Sequence, residues 1–257
     1  MMSSAKDIFI KPINARTANE IIKKIHYSGK VVNNSRLHFG VFINEKLCGA
    51  LQFGVSIDIR KTKGLVSGTG WNQFMELNRM AFGSELPKFS ESRAIGVCLR
   101  LIKKQYPQIK WVISFSDGTQ CGDGTIYRAS GFCLTGIKKN NQILQMPDGS
   151  RVAKKSLDNP NNSYGGEFGS KIAIRNGAEP LAGYQLRYIY FIDKSYKEKL
   201  TVPILPFSEI DKRGAGMYKG TASTVQSRRV TKAISGDQLE SGGAIPTNTL
   251  QSSEANQ

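Results

Sequence analysis

SESRAIGVCLRLIKKQYPQIKWVISFSD, residues 90–117, carries the pair of elements that decides the fold. Ser90 opens a helix over about 90–105 whose Ala94, Ile95, Val97, Cys98, Leu99, Leu101 and Ile102 leave little of it polar, so it must be largely buried. Pro107 marks its end. IKWVISFS (109–116) is then a nearly continuous apolar run, the pattern of a strand at the centre of a sheet covered on both faces. With FMELNRMAF (74–82) read as the strand before it, the long helix predicts a parallel crossover.

Working outward, DIFIKPI (7–13) reads as a short strand, and a helix follows over 15–26 with Asn14 as its N-cap. Its stripe is Ala18, Ile21, Ile22 and Ile25, and Gly29 stops the chain that leaves it. LHFGVFI (37–43) and LCGALQFGVSI (47–57) flank the polar turn Asn44-Glu45-Lys46 and predict a β-hairpin, which makes the sheet mixed. Residues 58–72 read as a loop. Beyond the central strand come a short helix at 124–130, Gly131-Phe132 and a further strand. A loop-like stretch (147–170), the strand YQLRYIYFI (184–192) and a helical turn at 195–200 follow. The expected domain is 1–207. Residues 208–257, poor in large apolar side chains, read as a disordered basic tail whose Lys212-Arg213 and Arg228-Arg229 pairs suit phosphate contacts.

The chain has 257 residues, enough for one large core, with 39% hydrophobic residues and a net charge of +16. That excess points to a polyanionic partner and says nothing of the fold. No apolar run reaches the roughly 20 residues of a membrane helix, and MMSSAKDIF lacks the apolar core of a signal peptide. Cys48, Cys98, Cys121 and Cys133 form no CxxC pair, which argues against a zinc site; Cys48 and Cys98 read as reduced core thiols.

The element order and TIYRASGF (125–132) resemble the GNAT acyltransferase fold: α/β, a mixed central sheet flanked by helices. One departure stands out. PKFSESRAIG (87–96) has no glycine before Gly96, where such enzymes carry a glycine-rich loop for the coenzyme A pyrophosphate. More specifically, HYSGKVVNNS (26–35), HFGVF (38–42), GALQFG (49–54), MELNRM (75–80), SESRAI (90–95), YPQIKWVISFSD (106–117), YRASGF (127–132) and QLRYIYF (185–191) resemble the bacteriophage Mom family in order over about 6–200. The resemblance implies conversion of adenine in phage DNA to its N6-carbamoylmethyl form, which blocks restriction enzymes that read the adenine edge in the major groove. It implies work in the host cell cytoplasm on double-stranded DNA with a flipped or locally opened base, with no membrane partner and with the homodimer left as an option.

Candidate roles follow from the chemistry. The adenine amine is a poor nucleophile, so the site needs proton removal and a place for developing negative charge. His26 and Tyr27, at the end of the first helix, and Asp117, at the end of the central strand, are the catalytic candidates. His26 is read as base or metal ligand, Tyr27 as donor or stacking platform, and Asp117 as base or metal ligand. Substrate and donor binding falls to Arg79, Asn78, Ser116, Ser92, Arg93 and Tyr127. Strict alternation puts Glu76 and Asn78 on one face of their strand and Arg79 on the other, and offers Arg79 an ion pair with Glu76 or Glu91 as its structural alternative. His38 reads as structural, and CGDGT (121–125) as a turn that also offers an anion site. His26 and Asp117 are the ligands proposed for iron or another divalent metal, with a tyrosine completing the set. The donor stays open between an acyl-coenzyme A and glycyl-tRNA. A conventional N-acetyltransferase and a non-catalytic DNA-binding relative are the competing readings.

Overall fold

A computed structural model of the protein describes residues 4–158, 168–218 and 221–222. The strands are β1 (Phe9–Pro12), β2 (Ser35–Ile43), β3 (Lys46–Gly54), β4 (Phe74–Phe82), β5 (Trp111–Asp117) and β6 (Cys133–Asn140), then β7 (Ile143–Gln145), β8 (Arg151–Ala153), β9 (Glu179–Pro180), β10 (Gly183–Phe191), β11 (Met217–Tyr218) and β12 (Thr221–Ala222). The helices are α1 (Ala15–Ile25), α2 (Ile59–Lys63), α3 (Ser90–Gln105), α4 (Thr125–Ala129), α5 (Lys154–Leu157), α6 (Gly169–Arg175) and α7 (Ser208–Lys212). Seven strands make one mixed sheet in the order β1-β2-β3-β4-β5-β10-β6. Every pairing in it is antiparallel except β4 with β5, the two strands that α3 connects. The expected α/β architecture with a parallel crossover is what forms.

Local chemistry explains the elements. Asn14 Oδ1 accepts the Thr17 amide at 2.8 Å and starts α1, which sets Ala18 and Ile22 against Ala50 and Ala81 of the sheet. The β2–β3 turn places Asn44 and Glu45 at φ of 47° and 62°, the left-handed pair a two-residue hairpin demands. α3 lies on the opposite face, where Ala94, Ile95, Cys98, Leu99 and Ile102 join Phe39, Phe53, Leu77 and Val112 in the main core. A second cluster holds Phe74 stacked on the buried Trp111, ring centroids 4.6 Å apart, with Ile113, Ile189 and Phe191. His38 Nδ1 meets Gln52 Nε2 across β2 and β3 at 3.2 Å.

Four expectations need correction. Residues 58–72 contain α2, capped by Asp58. The stretch 147–170 is not all loop: β8 and α5 form within it and α6 begins at Gly169. A small β8-β7-β9 sheet packs there with Leu144, Ala173 and Ala178; residues 159–167 lie outside the described set. Folded chain runs past 207, because Ile210, Ala215 and Met217 enter the main core or its rim. One compact unit ends at Ala222, so the tail from 223, with Arg228 and Arg229, lies outside the described residues. The fourth correction concerns β4. Gln52 faces Arg79 and Phe53 faces Leu77, so Asn78 is an extra, unpaired residue and the strand carries a β-bulge. Parity reverses there: Met75 and Leu77 point into the α3-side core, and so do Met80 and Phe82. Phe74 and Ala81 belong to the clusters of the other face, which brings Glu76 and Arg79 to the same side.

Candidate active site

β4 and β5 pair only from Phe74–Trp111 to Glu76–Ile113, and beyond that the strands part. The gap between them is lined from four elements. β4 supplies Glu76, Asn78 and Arg79, and β5 supplies Ser114, Ser116 and Asp117. The end of α1 supplies His26 and Tyr27, and α4 supplies Tyr127.

His26 terminates α1, its amide bonded to the Ile22 carbonyl. Its Nδ1 accepts the Ser28 amide at 3.2 Å and lies 2.8 Å from Ser28 Oγ. An Nδ1 that accepts a backbone N–H leaves the proton of the neutral ring on Nε2, so His26 presents a donor. Burial, aided by the nearby Arg79 guanidinium, lowers the imidazole from 6.5 to about 4. Such a histidine stabilises the fold above pH 6.5 and loses that contribution as pH falls from 6.5 through 4. We therefore expect urea melts of His26→Gln and the parent to diverge by about 1–3 kcal/mol between pH 7 and 4.5, after allowance for the ring's partial exposure. Parallel pH dependences would contradict the assigned burial.

Tyr27 exposes 55% of its surface, its ring 4.1 Å from that of His26. Its hydroxyl is pushed upward by burial and by Cys121 and Asp117, against the pull of Arg79. Tyr127 is pushed up to about 12, first by burial, while its hydrogen bond to Ser114 works the other way. Both phenols thus stay protonated donors at neutral pH. Glu76 is held above the ordinary carboxylate range by burial, partly offset by hydrogen bonds from Ser56 and Asn78 and by Arg79. Arg79 donates to the carbonyls of Lys30 (3.3 Å) and Asn78 (2.9 Å) and forms no salt bridge among the described residues. The ion pair with Glu76 or Glu91 is therefore not made, and a cation backed by carbonyls faces the gap.

The family model that fits this chain, described as the Mom protein family, matches residues 7–209. The chain belongs to the Mom protein family. Methylcarbamoylase mom of Escherichia phage Mu is 33% identical to this Mom-family chain over 204 residues, 78% of this chain and 82% of that protein. Solved structures similar to it include the ribosomal-protein-S18-alanine N-acetyltransferase from Escherichia coli, with 11% identity and a TM-score of 0.40, covering 72% of this chain and 94% of that one. Another is the spermidine/spermine N-acetyltransferase from Vibrio cholerae, with 10% identity and a TM-score of 0.40, covering 76% and 98%.

In this Mom-family protein the remaining candidates are tied down. Asp117 Oδ1 accepts the Thr119 amide at 3.0 Å and the Thr119 hydroxyl, and Oδ2 accepts Asn140 Nδ2 at 3.3 Å. Ser116 Oγ donates to the Gly122 carbonyl. As an iron or other divalent-metal site, His26 and Asp117 do not fit as they stand. Both Asp117 oxygens already accept protein donors, His26 offers only Nε2, and among the described residues no three His, Cys, Asp or Glu side chains converge. The CGDGT turn is closed too: Asp123 is 1% exposed and pairs with Arg128 at 3.2 Å. At the start of α3, the Ser90 and Ser92 hydroxyls turn back to the Pro87 and Phe89 carbonyls, and Phe89 caps the helix with no side-chain bond. Arg93 is exposed there and reaches the Lys6 carbonyl at 3.3 Å. The residue that sequence reasoning undervalued is Glu76, whose charged-acid signal inside an apolar strand was legible but whose face was misread.

Proposed function

We propose that this chain transfers a carbamoylmethyl group to the N6 amine of adenine in double-stranded DNA. The observation that carries the reading is the meeting of a half-buried carboxyl, Glu76, with three donors, His26, Arg79 and Tyr127, at the parting of β4 and β5. Membership of the family of a methylcarbamoylase supports it.

Glu76 is the base. The N6 lone pair attacks a glycyl carbonyl of the donor, and the N6–carbon bond forms as the ester or thioester bond breaks. The N6 proton passes to the Glu76 carboxylate and on to the leaving oxygen or sulfur. His26 Nε2–H and Arg79 stabilise the oxyanion. Glycyl and carbamoylmethyl are isomers. Attack of the glycine nitrogen on adenine C6, with cleavage of C6–N6, completes the product without change of composition. The exposed Tyr27 ring is the platform for the extruded base, Tyr127 donates to the donor, and Asn78 fixes the bulge that aims Arg79. Asp117 and Ser116 hold the turn after β5, while Ser92 and Arg93 flank the donor's anionic portion at the α3 N-terminus.

The test is mass spectrometry of nucleosides from DNA of cells expressing the protein, beside His26→Ala and Asp117→Ala. The expected result is a deoxyadenosine heavier by one carbamoylmethyl group, lost in His26→Ala and reduced in Asp117→Ala. Unmodified adenine from soluble, folded parent protein would favour a conventional N-acetyltransferase. Ribonuclease treatment of an active extract separates the donors: glycyl-tRNA predicts loss of activity, an acyl-coenzyme A predicts none.

A further inference from the structure

Residues 55–73 join β3 to β4 beside the gap and are firmly anchored. Ile59, Leu65 and Val66 pack with Phe74 and Trp111. Ser56 Oγ meets Thr62 Oγ1 at 2.9 Å, and the Val55 carbonyl accepts from Asn34 and Asn78. A segment so well supplied with a core nevertheless leaves Ile57 70% and Trp71 56% exposed. Around them stand Arg60, Lys61 and Lys63 against a single acid, Asp58, which pairs with Lys61 at 3.1 Å. The Lys63 ammonium lies 4.8 Å from the Trp71 ring centroid. Lys199 is brought alongside by the Ser67 amide's bond to its carbonyl at 2.8 Å.

We infer that this segment is the docking surface for double-stranded DNA, with Arg60 and Lys63 on the phosphates, Trp71 against the backbone, and Ile57 wedged into the stack where the target adenine leaves it. The inference rests on the base-modification reading above. Its own arguments are position and chemistry. Ile57 follows Ser56, the residue that ties this segment to Glu76 on the catalytic strand. Apolar wedges beside cations are how proteins unstack a duplex step, and an extruded base leaves a gap to fill. The chain's net charge of +16 suits the same partner.

The protein has two tryptophans, and Trp111 is fully buried, so a ligand-induced change in emission reports Trp71. The full chain is titrated with a labelled mixed-sequence duplex of about 30 base pairs, and separately with unfractionated tRNA. Duplex should shift the emission as anisotropy rises, and Trp71→Phe should abolish the shift while binding persists. The Arg60→Gln, Lys63→Gln double variant should bind about tenfold more weakly, with the slope of log K against log salt reduced by about 2. Ile57→Ser should modify paired duplex at least tenfold more slowly and recover when the target adenine faces an abasic site. Duplex binding that leaves the emission and the double variant's slope unchanged overturns the surface, as does a shift produced by tRNA alone or a duplex that does not bind. Binding through Trp71 without any modified nucleoside would instead sink the reaction and keep the surface. Modification that survives in the double variant with the parent's slope would do the reverse.

Discussion

Glu76→Gln should lower the proposed carbamoylmethyl transfer by about 10²–10⁴-fold, the range for loss of a positioned general base, with the fold intact. Glutamine keeps the shape and the hydrogen-bonding capacity that Ser56 and Asn78 address. The loss should fall on kcat, because the amide cannot take the N6 proton. Parent activity should rise with pH as the elevated Glu76 carboxyl ionises, and the variant should lack that limb. The sign for stability is opposite. Burial lifts the folded-state value above the unfolded one, so the favourable contribution exists at low pH and is lost as pH rises through the folded value. The variant should therefore melt no lower than the parent at pH 7 and gain relative to it as pH rises. A Glu76→Gln protein that retains full kcat would move the base elsewhere.

Gly124→Ala should cost about 2–5 kcal/mol. Gly124 sits at φ 82°, where an added side chain is strained by about 1–2 kcal/mol. The new Cβ would also collide with Tyr188 Cε2 and lie 2.9 Å from its hydroxyl, an overpacking worth about 1–3 kcal/mol. Tyr188 cannot give way easily: it is fully buried, donates to the Asp123 carbonyl and packs against Tyr127, centroids 5.3 Å apart. Thermal melting should drop by roughly 5–15 °C. Gly68→Ala is the control, since its φ is 68° but nothing lies within 4 Å of the added carbon. Equal losses in the two variants would show that the Tyr188 contact contributes nothing.

How much was legible depends on where the information resides. α3 and β4 were readable to the residue because buried helices and strands print their periodicity in apolar side chains. The Asn14 cap and the Asn44-Glu45 turn were readable because each is a local device. The bulge at Asn78 was not. It is set by the pairing partner, where Gly54 lies so close to the Asn34 carbonyl and Asn78 Oδ1 that a Cβ would clash, and no count along β4 alone reveals that. The folding of 208–218 was missed for a related reason. Ile210 and Ala215 are too sparse to signal a helix, yet a core already built by distant strands accepts both. The position of β10 between β5 and β6 is likewise a long-range fact. Among the candidate site residues, His26, Tyr27 and Arg79 do meet, whereas the acid that completes their group had been placed with a different neighbour.

The three-residue seam between β4 and β5 has a mechanical consequence. Its neighbours, β3–β4 and β5–β10, are joined over longer registers, so the sheet resembles two stiff plates sharing a short hinge pin at Phe74–Glu76 and Trp111–Ile113. The pin is fastened by the Phe74–Trp111 stack and by Trp111 Nε1, which donates to Thr69 Oγ1 at 3.1 Å. Like the pivot of a pair of dividers, it converts a small change of angle into a larger change of aperture at the tips, where Arg79 and Ser116 stand. The spacing of β4 and β5 at the candidate site is thereby set where the two strands begin to pair, by the fully buried Trp111 indole.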